Sequence, residues 1–426
     1  MKKSANTLLK CIELKTALQY VSQRSAVDLE TLKVAEGFLA KIRVGGDSAI
    51  KMLAADFGES GRIYSPSALQ DSLNLVDPNS LAMLRRVAGR IESFARSQRK
   101  SFSDLNVEEY GAKLSHRLSP VERAGCYVPG GRYPLPSSLL MTAMTAKVAG
   151  VTDIVVCCPK PSEIILAAAA LCGVEKVVAL GGVQAIAAMS FGYEGIAPRD
   201  VIAGPGNRWV SAAKQLLNGN TRMDLPAGPT EIVVVVDAEA DPDFAAADLL
   251  AQAEHDPEAW PVVIALEGFD FSRLQVALEK QLQKLSTRAT AVKALSNGFC
   301  VFVKESSDAA KLVNELAPEH LSLQLKFVEP FAAMCKNYGT LFVGPQASEA
   351  LADYGIGPNH VLPTGGAARK YGALSVLNFL RLQTRIDAFQ VDEQVLADAF
   401  ALANMEGLEG HAASIKLRLN KAGVES

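Results

Sequence analysis

Apolar residues recur at helical spacing from Val27 to Ile42 and from Ala82 to Phe94, set among many charges, so residues 1–115 read as a mainly helical region. From Gly125 the texture changes. Short apolar runs, Cys126 to Pro129, Asp153 to Cys158, Lys176 to Leu180, Asp200 to Ala203 and Glu231 to Val236, alternate with alanine-rich helical stretches such as Ile164 to Leu171. The runs resume at Pro261 to Leu266, Phe299 to Val303 and Thr340 to Val343. Wholly apolar strands separated by helices are the pattern of a parallel sheet covered on both faces. The prediction is an α/β chain with two Rossmann-like parallel-sheet domains, the second a candidate duplicate of the first. The expected divisions are 1–115, 116–230, 231–375 and 376–426, the last a smaller C-terminal segment.

Glycine-rich turns follow several of these strands, where ligands bind in open α/β sheets. Pro129-Gly130-Gly131 precedes Arg132-Tyr133-Pro134, while Gly181-Gly182-Val183-Gln184 and Gly204-Pro205-Gly206-Asn207 each open a helix. Such turns let backbone N–H groups approach a phosphate. None matches Gly-x-Gly-x-x-Gly, so the classical dinucleotide fingerprint is missing.

Of the five histidines, only His116 has no carboxylate or amide neighbour in sequence. The others lie in Gln252-Ala253-Glu254-His255, Pro318-Glu319-His320, Asp353 to His360, and Glu406 to His411. Gln252 and His255 are three residues apart at the end of an apolar helical run, so both leave one helix face as a two-point clamp. Together the segments offer imidazole, amide and carboxylate donors, a set that zinc or another borderline divalent ion accepts.

The 426 residues exceed what one hydrophobic core supports. A hydrophobic content of 49%, 21% charged residues and a net charge of -3 leave no basic field for nucleic acid. Charges interrupt the first ten residues before a signal-peptide core forms, and no apolar run reaches membrane-spanning length, so a soluble cytoplasmic protein is expected. Seven cysteines, an odd and scattered number, point to reduced thiols. Cys157 and Cys158 face opposite sides of a predicted strand, which suits core packing rather than chelation.

Read together, the motifs resemble one family, the zinc- and NAD-dependent L-histidinol dehydrogenases of histidine biosynthesis. The resemblance runs in order through Gly125 to Gly131, Gly181 to Ala187, Gly204 to Asn207, Asp224 to Glu231, Gln252 to His255, Ala317 to Leu321, Asn359 to Thr364 and Glu406 to Leu408. It implies an NAD-binding domain over 116–230, a catalytic domain over 231–375 and a dimerisation segment over 376–426. One zinc per subunit would be held by Gln252, His255 and Asp353, with His411 reaching in from the partner subunit of a homodimer. His320 would be the general base and Glu319 would activate water, in two NAD-dependent oxidations from primary alcohol through aldehyde to carboxylate. Tyr127, Gln184 and Asn207 fall on cofactor-contacting positions. Thr230, His360 and Glu406 fall on substrate-contacting ones, beside the zinc ligands and Glu319-His320.

Pro318 would open a helix presenting Glu319 and His320 at its start. The chain departs from the family pattern at Thr230, where serine is usual, at Pro358, and at the bulky pair Arg208-Trp209. The alternative within the family is a paralogue acting on another primary alcohol such as sulfopropanediol, against which Glu406 argues, because a carboxylate repels a sulfonate. A zinc hydrolase would lack its His-Glu-x-x-His helix and leave the glycine turns unexplained. A non-catalytic binding protein would have no use for the full ligand set and Glu319-His320.

Overall fold

The computed structural model describes residues 8–22, 27–130, 133–344 and 346–421; Gly131 and Arg132, in the first glycine turn, lie outside the described residues. The chain divides into two units, one comprising Met1–Arg99 and Val121–Phe379, the other Lys100–Pro120 and Leu380–Ser426.

In chain order the strands are β1 (Lys10–Ile12), β2 (Ile63–Tyr64), β3 (Leu105–Glu109), β4 (Ala112–Pro120), β5 (Arg123–Tyr127), β6 (Asp153–Cys157), β7 (Lys176–Val178) and β8 (Val201–Ala203). They continue as β9 (Arg222–Met223), β10 (Glu231–Val236), β11 (Trp260–Ala265), β12 (Phe299–Phe302), β13 (His320–Gln324), β14 (Thr340–Val343) and β15 (Leu380–Ala388). The first unit holds two six-stranded sheets, ordered β2-β7-β6-β5-β8-β9 and β1-β12-β11-β10-β13-β14. Strip the first strand from each and both read third, second, first, fourth, fifth in sequence order, all parallel. The expected α/β fold with two equivalent sheets is therefore present.

The strand β10 shows why such runs become central strands. All six of its residues are buried. Ile232, Val234 and Val236 pack in one apolar cluster and Val233 and Val235 in another, so successive side chains feed helices on opposite faces. The N-terminal region is helical over Leu29–Asp56 and Pro78–Lys100, as its periodicity predicts. It also supplies an edge to each sheet. β1 pairs parallel with β12, and β2 pairs antiparallel with β7. Strands of three and two residues are too short to display a period.

The second unit contains the antiparallel sheet β15-β4-β3 and the helices Glu393–Met405 and Glu409–Lys421. β3 and β4 are joined through Tyr110 and Gly111, both at positive φ, which is the two-residue hairpin turn that fits strand twist. A Cβ at Gly111 would stand 1.9 Å from the Gln390 carbonyl oxygen. All seven cysteines are free thiols, and Cys157 and Cys158 are buried in the core as expected. No described helix is long and apolar enough to cross a membrane.

The turn after β8 is held by a buried ion pair between Lys214 and Asp224. Asp224 accepts from the Gly204 amide at 2.8 Å, and Lys214 donates to the carbonyls of Gly204 (3.0 Å) and Leu225 (3.2 Å). Gly204 is required here, since its φ is +129° and a Cβ would lie 2.1 Å from the Tyr127 carbonyl oxygen. Lys214→Met strands the Asp224 carboxylate in the core and is expected to cost about 3 to 5 kcal/mol. Denaturant titration checks this, and adding Asp224→Asn should recover a measurable part of the loss.

Candidate active site

The helix Ser306–Leu316 ends at Ala317, a left-handed residue with φ 44°, and β13 begins at His320. Pro318 therefore follows a helix instead of opening one, and Glu319-His320 enters a sheet. This corrects the expected helix start. Parallel pairing sets Ile232 of β10 opposite His320 of β13, so Thr230-Glu231 and Glu319-His320 meet at the amino edge of the second sheet. This is the edge opposite to the carboxyl ends where ligands gather in open α/β sheets.

Hydrogen bonding fixes the proton positions in this cluster. His320 Nδ1 lies 2.9 Å from the Glu231 carbonyl oxygen, which can only accept, so Nδ1 carries the hydrogen. Nε2 is left as the basic nitrogen, buried and without a hydrogen-bond partner. Burial lowers the His320 pKa to about 4, so the ring is neutral at pH 7. Glu319 Oε2 accepts from the Glu231 amide at 2.9 Å and lies 2.7 Å from Thr230 Oγ1. Burial pushes the Glu319 carboxyl well above the usual range, against the opposing effect of the Thr230 hydrogen bond.

Thr230 Oγ1 also donates to Gln252 Oε1 at 2.6 Å, and the other end of the Gln252 amide faces the buried Glu349 carboxyl. One hydroxyl proton cannot serve both Glu319 and a Gln252 oxygen. The Thr230 hydroxyl therefore donates to one of the two at a time.

Gln252 sits in the last turn of the helix Pro242–Ala253, and His255 follows two residues after it. His255 Nε2 is 3.7 Å from Asp353 Oδ2, close to the roughly 3.4 Å that two donors of one tetrahedral ion show at ordinary bond lengths. Asp353 in turn faces His360. His360 Nδ1 donates to the Asp353 carbonyl at 2.9 Å, and Nε2 lies 3.4 Å from the Ser138 hydroxyl, with burial lowering the ring's pKa. Among the described residues no three His, Cys, Asp or Glu side chains form a metal-holding group. Of the expected zinc ligands, the structure brings His255 and Asp353 to a spacing that suits two donors of one ion.

At the carboxyl edge of the first sheet, Tyr127 ends β5 and its hydroxyl accepts from the Gly182 amide at 3.3 Å. Gln184 is buried and donates through Nε2 to Glu59 Oε2 at 2.9 Å, and the same oxygen accepts from the Gly181 amide at 2.9 Å. Asn207 caps the helix Arg208–Leu217, accepting from the amides of Trp209 (3.1 Å) and Val210 (3.2 Å). The close approach of Gly204 to Tyr127 brings the two glycine turns to one tyrosine.

A family model described as histidinol dehydrogenase matches residues 22–419. The chain belongs to the histidinol dehydrogenase family. A histidinol dehydrogenase from Carboxydothermus hydrogenoformans (strain ATCC BAA-161 / DSM 6008 / Z-2901) is 40% identical over 95% of this chain and 97% of its own. One from Gluconobacter oxydans (strain 621H) is 39% identical over 94% of this chain and 96% of its own. The crystal structure of histidinol dehydrogenase from Elizabethkingia anophelis superposes with a TM-score of 0.90 at 30% identity, covering 99% of this chain and 100% of that one.

Membership of the histidinol dehydrogenase family makes the chain an NAD-dependent oxidoreductase. Thr230, Gln252, His255, Glu319, His320, Asp353 and His360 all belong to the first unit, whereas Glu406 and His411 lie exposed in the second, which also holds the half-buried His116. Sequence reasoning missed Glu59, Ser138 and a pair of buried carboxyls, Asp248 and Glu349. Asp248 accepts from Gln324 Nε2 (2.9 Å) and Ser322 Oγ (3.3 Å), yet burial raises its pKa to about 6. Burial, then the Asp248 charge, raises Glu349 to about 9. A helical Asp four residues before Gln252 carries no motif that separates it from a solvated one.

A carboxyl whose folded pKa exceeds its unfolded value of 3.8 costs stability as pH rises from there to about 6, and the deficit persists above. Asp248→Asn keeps an acceptor for Ser322 and Gln324 while removing the charge. It should stabilise the protein at pH 8 by up to about 3 kcal/mol, the gain vanishing below pH 4. Denaturant midpoints at the two pH values measure it.

Proposed function

We propose that this chain is a cytoplasmic enzyme oxidising L-histidinol to L-histidine through L-histidinal with two NAD+, the last step of histidine biosynthesis. The observation that carries this reading is the buried, neutral His320, with Nδ1–H fixed on the Glu231 carbonyl and Nε2 free, beside Glu319 and Thr230. A base for the alcohol proton needs that tautomer and that protonation state. His320 Nε2 takes the hydroxyl proton as a hydride leaves the carbinol carbon. In the second oxidation Glu319, made more basic by burial, takes a proton from the water that adds to the aldehyde.

Tyr127, Gln184 and Asn207 of the 116–230 domain would hold NAD+, which would supply the acceptor for each hydride. Gln252, His255, Asp353 and the partner subunit's His411 would hold a zinc ion, which would supply a fixed positive charge to orient the substrate's amine and imidazole. Thr230 and His360 line the substrate, and Glu406 complements its ammonium. The His255–Asp353 spacing in the 231–375 domain supports the metal position. The 376–426 segment is the proposed dimer contact, supported by the apolar surface that the second unit leaves bare, including Phe389 at 95%, Met405 at 78% and Ile386 at 66% exposure.

Two measurements test this reading. In single-turnover reactions Glu319→Gln should lose at least tenfold more rate with L-histidinal than with L-histidinol, while His320→Asn should slow the alcohol step by two or more orders of magnitude, as about 10² to 10⁴ is expected for a lost general base. Equal losses in both steps for Glu319→Gln would remove the division of labour. Separately, mixing inactive Gln252→Ala and His411→Ala proteins should restore partial activity after subunit exchange, because one of the two sites in a mixed dimer takes both native residues. No recovery despite verified exchange would assign the fourth ligand to the same chain.

A further inference from the structure

We infer that Glu59 sets cofactor selectivity, by filling the anion seat at the amino end of the helix Gly182–Phe191 and orienting Gln184. This rests on the proposed cofactor positions Tyr127, Gln184 and Asn207. A helix start after a glycine turn attracts a phosphate through its free amides. At this turn the amides are already answered from within the chain. Glu59 Oε2 takes the Gly181 amide, and the Tyr127 hydroxyl takes the Gly182 amide. A Cβ at Gly181 would stand 2.6 Å from Glu59 Oε1, so the carboxylate lies directly against the turn. The negative charge that the helix favours belongs to the protein itself.

Glu59 also decides how Gln184 is presented. A carboxylate can only accept, so the Gln184 end that meets Glu59 Oε2 at 2.9 Å is the amino group. The carbonyl end remains to accept from a donor such as a ribose hydroxyl. A phosphate arriving at the same turn would meet the Glu59 carboxylate and the Gln184 carbonyl, both electron-rich. The turn therefore reads the hydroxyl-bearing part of a dinucleotide and rejects an added phosphate, which assigns Glu59 to the preference for NAD over its 2′-phosphorylated form. Glu59 comes from the Gly58-Glu59-Ser60-Gly61 loop after the helix Leu29–Asp56, outside the sheet it serves.

The test is direct titration of NAD and NADP by calorimetry on the wild type and on Glu59→Gln, Glu59→Asp and Gln184→Ala proteins, with thermal unfolding to verify folding. Glu59→Gln should narrow the NAD-to-NADP affinity ratio at least tenfold, chiefly through tighter NADP binding. Glu59→Asp, which keeps the charge, should retain most of the discrimination. Gln184→Ala should weaken NAD binding at least fivefold. A ratio unchanged within twofold in Glu59→Gln, with Gln184→Ala still weakened, would overturn the role of Glu59 alone. Unchanged NAD affinity in Gln184→Ala would overturn the cofactor site, and the selectivity argument with it.

Discussion

The parallel pairing of β10 with β13, in the register Ile232 opposite His320, is the constraint on which the rest of the site depends. It lays Thr230-Glu231 beside Glu319-His320 where both chains enter the sheet. From that placement follow the Glu231 carbonyl as the fixed acceptor of His320 Nδ1–H and the Glu231 amide as a donor to Glu319. Glu231 also anchors the far loop by accepting from the Gly365 amide at 2.7 Å. A one-residue slip would turn every one of these side chains to the other face of the sheet. The register is protected because β10 is apolar on both faces, and each face is committed to its own core.

Such a site is costly to bury, and the surrounding hydrogen bonds offset part of the cost. A neutral imidazole needs only one satisfied donor, so His320 is tolerated deep in the protein where a charged ring would not be. The Asn359 amide donates to the Met141 carbonyl (2.8 Å) and to Thr145 Oγ1 (3.1 Å), which holds the loop carrying His360. Asp248 and Glu349 are the unrelieved part. With its pKa raised to about 6, Asp248 carries a buried charge at neutral pH, whereas Glu349, raised to about 9, stays protonated beside it.

Much of the fold was legible because central strands announce themselves. Glu231 to Val236 and Thr340 to Val343 were bounded correctly, and the others missed by one to three residues at their ends. β13 was overlooked because His320-Leu321-Ser322-Leu323-Gln324 follows a proline and alternates polar with apolar residues, unlike its buried neighbours. The Pro318 error has the same origin: a proline between two elements marks a helix start or a residue just past a helix end, and only the left-handed Ala317 decides. Site residues were legible through family motifs rather than pattern. Glu59 had neither, being a lone acid in a Gly-Ser loop whose partners lie more than a hundred residues away.

The two sheets share one strand order but present opposite edges, and the electrostatics of helix ends gives a physical reason. In an α/β unit the helix runs back against its strands, so helix amino ends gather at the carboxyl edge of a sheet and helix carboxyl ends at the amino edge. The first sheet gathers the amino ends of Gly182–Phe191 and Arg208–Leu217; the Glu59 carboxylate answers the partial positive charge of the first, and that of the second suits an anionic group. The second offers the carboxyl ends of Pro242–Ala253 and Ser306–Leu316, where partial negative charge suits a metal ion and an ammonium. Gln252 belongs to the last turn of one of these helices, and Glu319 follows closely after the other. A duplicated fold can thus serve two ligands of opposite charge without changing its topology, provided each copy uses a different end of its strands.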